Sequence, residues 1–454
     1  MRIENPATLA VIAELAEDTP ALIAEKVARA RSAQPAWAST SLSERLAALS
    51  RFRDAAQREK EALALVLTRE MGKPVAQAKN ELTALSARID FFLSHTSEVL
   101  KDDIVFRDTG LEESIALEPL GVIANISAWN YPWFVGSNVF VPALLTGNAV
   151  LYKPSEHATL TGQAIGRLLH EAGIPEDIFS VVLGGGEVGR VLIDQPIDGV
   201  FFTGSYRTGQ KIAEAVAPRF LKLGLELGGK DPIYVAGDVD VKAAVESLAD
   251  GAMYNTGQSC CSIERIYVER SIYDAFVKEF VSTVQGYALG DPEDPTTYIG
   301  PLARKEQLEV LTAQVEDAVE KGARLLTGGK RAARTGYYFE PTVLADARDD
   351  MRVMREESFG PIIGIAPVDS DEEAVRRMND TEYGLTAGVY TKDRARAERI
   401  LLRVDAGSVY WNCCDRVSPR LPWTGRRHSG TGSTLSTYGI RAFLQPKAWH
   451  LRGA

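Results

Sequence analysis

Cys260 offers this chain a nucleophile. It lies in the run NTGQSCC that starts at Asn255, directly after a segment that reads as helix through Met253. A thiol reacts as its thiolate, and a nearby base or a turn with exposed backbone amides supplies the field that lowers its pKa. An isolated cysteine is more often a buried structural residue, and Cys261 shares the same surroundings, so spacing does not choose between the two. Glu226 offers a base. It stands in LELGGK, between two leucines and before a glycine pair. Burial by that apolar segment raises a carboxyl pKa toward neutrality, where a general base works; an exposed position makes it an ordinary surface glutamate. Asn130, in AWNYPW just beyond the apolar run GVIANI, carries an amide able to donate to the oxygen that turns negative when a carbonyl is attacked. The competing reading is an Asx turn ahead of Pro132.

Other positions suit a nucleotide. Gly204 and Gly209, in FTGSYRTG, follow a strand-like run and open a helix, where backbone amides meet a pyrophosphate. GGGEVG, from Gly184 to Gly189, matches the dinucleotide fingerprint GxGxxG only loosely. Lys153 and Glu156, in YKPSE, close another apolar run, where they reach ribose hydroxyls or form a surface salt bridge.

These residues need elements to hold them. Alanine-rich amphipathic helix dominates the first hundred residues, with Leu46, Leu49, Phe52, Leu63, Leu65 and Val66 between charged positions, and reads as architecture alone. From Leu117 the texture changes to short apolar runs (GVIANI, NAVLYKP, IFSVVLGGG, IDGVFFTGS) separated by helical stretches such as 160 to 172, closed by Gly173. That alternation predicts a parallel sheet covered on both faces, with ligands beyond the carboxyl ends of its strands, where Asn130, Lys153, Gly184 and Gly204 fall. A second α/β unit begins after Gly229: a strand, an acidic cap at Asp238 or Asp240, a helix carrying Val241, Val245, Leu248 and Ala252 inward, then RIYVE, YFEPTVL, IIGIAPV and GVYTK. Residues 105 to 120 read as a pair of strands. The aromatic and apolar C-terminal YGIRAFLQPKAWHL reads as a strand that pairs between protomers.

At 454 residues the chain has room for two or three domains and a cleft between them. Its 51 Lys and Arg against 61 Asp and Glu, a formal charge of -10, present no basic face for a phosphate backbone, which excludes nucleic acid as the expected partner. Four cysteines in two adjacent pairs resemble neither a disulfide scaffold nor a CxxC zinc site, so no metal is expected and a reducing compartment fits. No apolar window reaches membrane-spanning length and no signal-peptide pattern is present; we expect a cytoplasmic protein without a membrane partner.

Taken together, the motifs resemble the aldehyde dehydrogenase superfamily over nearly the whole chain. WNYP (Trp129 to Pro132), PALLTGN, KPSE (Lys153 to Glu156), FTGS (Phe202 to Ser205), ELGGK (Glu226 to Lys230), GQSC (Gly257 to Cys260), ESFGP (Glu357 to Pro361) and PWTG (Pro422 to Gly425) fall in the family's order. The resemblance implies an α/β fold of two parallel-sheet domains plus a small strand arm for oligomerisation. Residues 1–100 and 120–228 would form the cofactor-binding domain, 229–426 the catalytic domain, and 101–119 with 441–454 the arm. It implies that Cys260 attacks the aldehyde carbon while the Asn130 amide and the Cys260 N–H hold the oxygen. Hydride then passes to the nicotinamide, and Glu226 activates the water that hydrolyses the thioester. Lys153 and Glu156 correspond to residues at the adenosine ribose, Ser205 to one at the pyrophosphate, and Glu357 to the carboxylate on the nicotinamide ribose, with Phe359 beside the ring and Trp129 in the cleft. Ser155, Gly186, Gly204 and Leu227 complete the implied cofactor set. A carboxylate at 156 repels a 2'-phosphate, so NAD is expected ahead of NADP.

The chain also departs from the family. The lysine and glutamate that many members use as a proton exit correspond to Val139 and Thr434, and the adjoining tryptophan to Asn138. The proton from the base is therefore expected to leave differently, through water near Asn138. Tyr131, Trp133, Ser259, Cys261 and Trp423, with the strip WNCCDRVSPRLPW from Trp411, are expected to line the aldehyde entrance. There Arg416 or Arg420 holds a substrate carboxylate or faces solvent, and the apolar members favour an aromatic or medium-chain aldehyde. Family assembly would give a homodimer or a dimer of dimers. An acylating enzyme that passes the thioester to coenzyme A is disfavoured by Glu226, and a silent scaffold by the intact Cys260, Glu226, Asn130 and Glu357.

Overall fold

The computed structural model describes residues 1–453. Two sheets organise it. The first has six strands in the order Gly430–Thr431, Lys222–Glu226, Gly199–Thr203, Val122–Ile126, Ala149–Lys153, Phe179–Val181, all parallel except the antiparallel Gly430–Thr431 edge. The second has seven, in the order Arg324–Thr327, Thr342–Ala345, Ile362–Val368, Ile263–Glu269, Asp231–Val235, Thr386–Tyr390, Ser408–Trp411, parallel except at the Arg324–Thr327 edge. Every residue of Val122–Ile126, Ala149–Lys153, Asp231–Val235 and Thr386–Tyr390 is buried. Helices cover both faces of such strands, which is why they read as unbroken apolar runs rather than as alternation.

Local signals set the boundaries. The helix Thr159–Glu171 closes just before Gly173, whose φ of 95° suits glycine. Of the two acidic cap candidates, Asp240 is the one used: its carboxylate accepts the Ala243 N–H at 3.1 Å and starts the helix Val241–Met253. Four N-terminal helices, Pro20–Ser39, Leu42–Arg58, Lys60–Met71 and Val75–Val99, join the first sheet in one core through residues such as Phe52, Leu82, Leu85 and Phe92.

Strands Asp103–Asp108 and Leu111–Pro119 form the expected pair. The C-terminal strand Leu444–Arg452 completes a three-stranded antiparallel sheet by pairing with Leu111–Pro119 of its own chain, from Leu444 opposite Pro119 to Arg452 opposite Leu111. This corrects the expectation that the terminal strand needs another protomer as its hydrogen-bonding partner; the nine-residue register is satisfied internally. A further connection was not anticipated. Gly430–Thr431 returns to the first sheet, opposite Glu226 and Leu225, and carries the segment around Thr434 to the end of the Glu226 strand.

Candidate active site

Cys260, Glu226 and Asn130 line one cavity of about 540 Å³. Each arrives from a different place. Glu226 is the last residue of the strand Lys222–Glu226, Asn130 lies between the strand Val122–Ile126 and the helix Pro132–Leu145, and Cys260 precedes the strand Ile263–Glu269 of the other sheet. The cysteine turn is shaped by Asn255 and Thr256, both in the left-handed region at φ 53° and 58°. For a β-branched threonine that conformation is costly and must be held by its surroundings. Gln77 accepts the Asn255 N–H at 2.8 Å, and the Thr256 hydroxyl accepts the Gly300 N–H at 3.0 Å. A side chain on the next residue, Gly257, would collide with the Gly360 carbonyl, so glycine is required where this turn crosses the ESFGP loop.

Asn130 is buried and does not form a local Asx turn. Its side-chain amide donates to the Gln258 carbonyl at 3.2 Å, while its own carbonyl accepts from the Asn255 amide at 3.2 Å. The donor is thereby held within two residues of Cys260. Glu226 keeps some surface open to the cavity, yet desolvation raises its pKa to about 7 against a hydrogen bond from Thr434 and the charge of Arg88, both of which lower it. The Thr434 hydroxyl donates directly to the Glu226 carboxylate. A carboxyl balanced at neutrality accepts a proton from water and gives it up again.

The two adjacent cysteines differ in their surroundings. The Cys261 thiol donates to Asp415 Oδ1 at 3.0 Å and lies 3.5 Å from the Ser259 hydroxyl. Its hydrogen bond with Cys260 and its burial push its pKa well up, so it stays a thiol. Cys260 is the more open of the pair.

Of the residues expected at the aldehyde entrance, Tyr131, Ser259, Cys261, Arg416 and Trp423 line the cavity. Trp133 does not. At the second position of its helix it is 1% exposed and packs into the core, and its backbone N–H donates to Glu81 at 2.9 Å. Arg420 is also outside the lining, exposed to solvent. The helix Val75–Val99 contributes what sequence reasoning missed: Gln77, Asn80, Glu81, Ala84, Ala87 and Arg88 all reach the cavity. The first hundred residues are therefore more than architecture. The available signal was a polar stripe at Gln77, Glu81 and Arg88 running beside the apolar stripe Ala78, Leu82, Leu85, Ile89 and Phe92.

The expected nucleotide positions form a second group, at the carboxyl ends of the first sheet's strands. Lys153 is buried there, and Glu156 is held below the usual carboxylate range by hydrogen bonds and Lys153 despite partial desolvation. Ser155 Oγ lies 3.3 Å from Glu156 Oε2. Ser205 caps the helix Tyr206–Val216 with its hydroxyl in the open, and the Gly204 N–H donates to the Glu226 carbonyl. A Cβ added at Gly185 or Gly186 would meet nothing, so space remains over the start of the helix Gly186–Ile193. Leu227 packs beneath Gly209. Nearer Cys260, Glu357 accepts the Gly229 N–H at 3.1 Å, its pKa raised to about 8 by burial, and Trp129 meets Phe359 edge-on at 5.4 Å. Exposed helix N-termini, a charged carboxylate beside an ammonium and an aromatic pair that includes Trp129, the residue before Asn130, fit the parts of a dinucleotide.

The pattern of the aldehyde dehydrogenase family matches residues 1–449. Betaine aldehyde dehydrogenase of Rhizobium leguminosarum bv. trifolii (strain WSM2304) is 35% identical over 449 residues, 97% of this chain and 92% of that protein. Among solved structures, aldehyde dehydrogenase from Brucella melitensis biovar abortus 2308 superposes with a TM-score of 0.97 at 32% identity, covering 100% of this chain and 94% of the other. An NADP-dependent enzyme of E. coli does so with a TM-score of 0.97 at 30% identity, covering 99% and 94%.

Proposed function

The chain belongs to the aldehyde dehydrogenase family and is an NAD(P)-linked oxidoreductase of aldehydes; from that premise we propose that it makes the carboxylic acid through a thioester on Cys260, with Glu226 activating the water that releases it. The observation that carries this reading is the convergence of Cys260, Asn130 and Glu226 on one cavity while Cys261 is held as a thiol by Asp415.

The Cys260 thiolate adds to the aldehyde carbon, and the carbonyl oxygen takes up the negative charge. The Asn130 amide, turned from the Gln258 carbonyl, and the Cys260 backbone N–H stabilise that oxygen. An aldehyde is a poor hydride donor until this addition has occurred; NAD(P)+, when bound, accepts the hydride as the carbonyl re-forms. Trp129, Phe359 and Glu357 would hold the reacting end of the cofactor, and Lys153, Ser155, Glu156, Gly186, Gly204, Ser205 and Leu227 the remainder. Glu226 then takes a proton from water, the hydroxyl attacks the thioester, and Cys260 leaves as thiolate.

The test is the fate of the acyl group. NADH forms from an aldehyde without coenzyme A and the acid is the product; a requirement for coenzyme A would convert the reading to an acylating enzyme. The charged Glu156 supports NAD over NADP. We expect Glu156→Ala to raise the ratio of kcat/KM for NADP to that for NAD about tenfold, the factor that 1.4 kcal/mol represents, as measured by initial rates with both cofactors. Exposed Ile104, Val105, Phe106, Trp449 and Leu451 on the three-stranded sheet support a homodimer or dimer of dimers. The four free cysteines suit a reducing, cytoplasmic setting.

A further inference from the structure

Arg88 and Arg416 are the cations that line the cavity among the described residues. Arg416 is exposed and follows Asp415, whereas Arg88 is only 6% exposed and fixed at the inner wall. Its Nη1 donates to Asn138 Oδ1 at 2.8 Å, and its guanidinium carbon lies 4.1 Å above the Phe134 ring. Both anchors belong to the helix Pro132–Leu145, which begins just after Asn130. Burial lowers the Arg88 pKa to about 10, which leaves it charged at neutral pH.

Three groups compete for that charge: Glu226, Glu81 and Cys261. Glu81 is already paired with the buried Lys73 and accepts the Trp133 N–H. Cys261 stays a thiol against Asp415. Glu226 has no ion pair among the described residues; of the cavity's other carboxylates, Asp250 accepts from the Tyr298 hydroxyl and Asp415 from the Cys261 thiol. The Thr434 hydroxyl donates to Glu226, and the other titratable groups on the same cavity are Glu81, Tyr131, Asp250, Tyr254, Cys260, Cys261, Asp415 and Arg416. Arg88 and Glu226 form no direct hydrogen bond among the described residues, but both line the same cavity, and the attraction between two unit charges extends beyond contact distance.

We infer that Arg88 is a positioning residue for the hydrolytic step. Its guanidinium, clamped between Asn138 and Phe134, stabilises the negative charge of Glu226 and so sets the pH at which that base works. The inference rests on Glu226 being the deacylating base. It accounts for a base that functions with valine at 139 and threonine at 434: the balancing cation comes from the helix Val75–Val99.

The test compares the pH profile of steady-state turnover with the NADH burst in wild type, Arg88→Met and Arg88→Lys. Removing a cation makes a nearby carboxylate easier to protonate, so the acid limb moves up by about one pH unit in Arg88→Met. The burst above that limb keeps its amplitude, and Arg88→Lys stays near wild type because the charge is retained. A raised KM with an unmoved limb would overturn the inference and make Arg88 a substrate contact. Equal loss in the Lys and Met variants would also overturn it, leaving only packing. If Arg88→Met does not fold, Asn138→Leu carries the test: freeing the guanidinium shifts the limb in the same direction by less, and an unmoved limb counts against the inference. Asp415 is itself raised to about 7 by burial, so each profile is repeated with Glu226→Gln, in which the Arg88-dependent limb disappears. A limb that still moves with Arg88 in the Glu226→Gln background assigns the charge to another group and overturns the inference, whereas unimpaired steady turnover by Glu226→Gln itself overturns the reading of Glu226 as the base on which the inference rests.

Discussion

Cys260→Ala binds nucleotide and yields no NADH with any aldehyde, a fall in kcat on the order of 10⁵-fold, the scale seen when a covalent catalyst loses its nucleophile. The neighbouring thiol does not take over. Cys261 is buried, its proton is shared with Asp415, and its pKa is pushed well above the ordinary thiol value. Cys261→Ala should therefore keep most of the turnover, since its thiol is not the attacking group. Nucleotide binding, followed by fluorescence quenching, survives in Cys260→Ala because Lys153 and Glu156, implied at the adenosine ribose, and Ser205, implied at the pyrophosphate, lie at the strand ends of the other sheet. Full activity in Cys260→Ala would sink the assigned mechanism.

Glu226→Gln separates the two halves of the reaction. The amide keeps the shape and can still accept from the Thr434 hydroxyl, but it takes no proton from water. The first turnover of NADH remains rapid, and the steady state falls by roughly 10²- to 10⁴-fold, the usual contribution of a general base. In the wild type the acid limb of steady turnover lies near the Glu226 pKa of about 7. Below it the carboxyl is protonated and hydrolysis slows; above it the base is free. Stopped-flow absorbance of NADH reads both phases. An unchanged steady state in Glu226→Gln would exclude Glu226 as the deacylating base.

Much of the scaffold was legible because its signals are local. Fully buried strands appear as short apolar runs, so GVIANI and IIGIAPV foretell Val122–Ile126 and Ile362–Val368, and Gly173 marks the end of the helix before it. The site was less legible because its contacts join distant residues. Nothing near Asn255 and Thr256 announces their left-handed backbone, which is held by Gln77 and Gly300. Trp133 has the composition of a pocket residue, and only the phase of its helix turns it into the core. The same holds for Arg88, whose role depends on Asn138 and Phe134 some fifty residues away. Spacing left Cys260 and Cys261 equivalent; Asp415, from the far end of the chain, distinguishes them.

The central claim is a thioester on Cys260, and the most direct measurement is to trap it. Glu226→Gln mixed with NAD and an aldehyde, quenched in acid after the burst and digested, is expected to give a peptide in which Cys260 carries the mass of the acyl group, in an amount that matches the NADH formed. An acyl group on Cys261, or NADH released with Cys260 unmodified, would contradict the account.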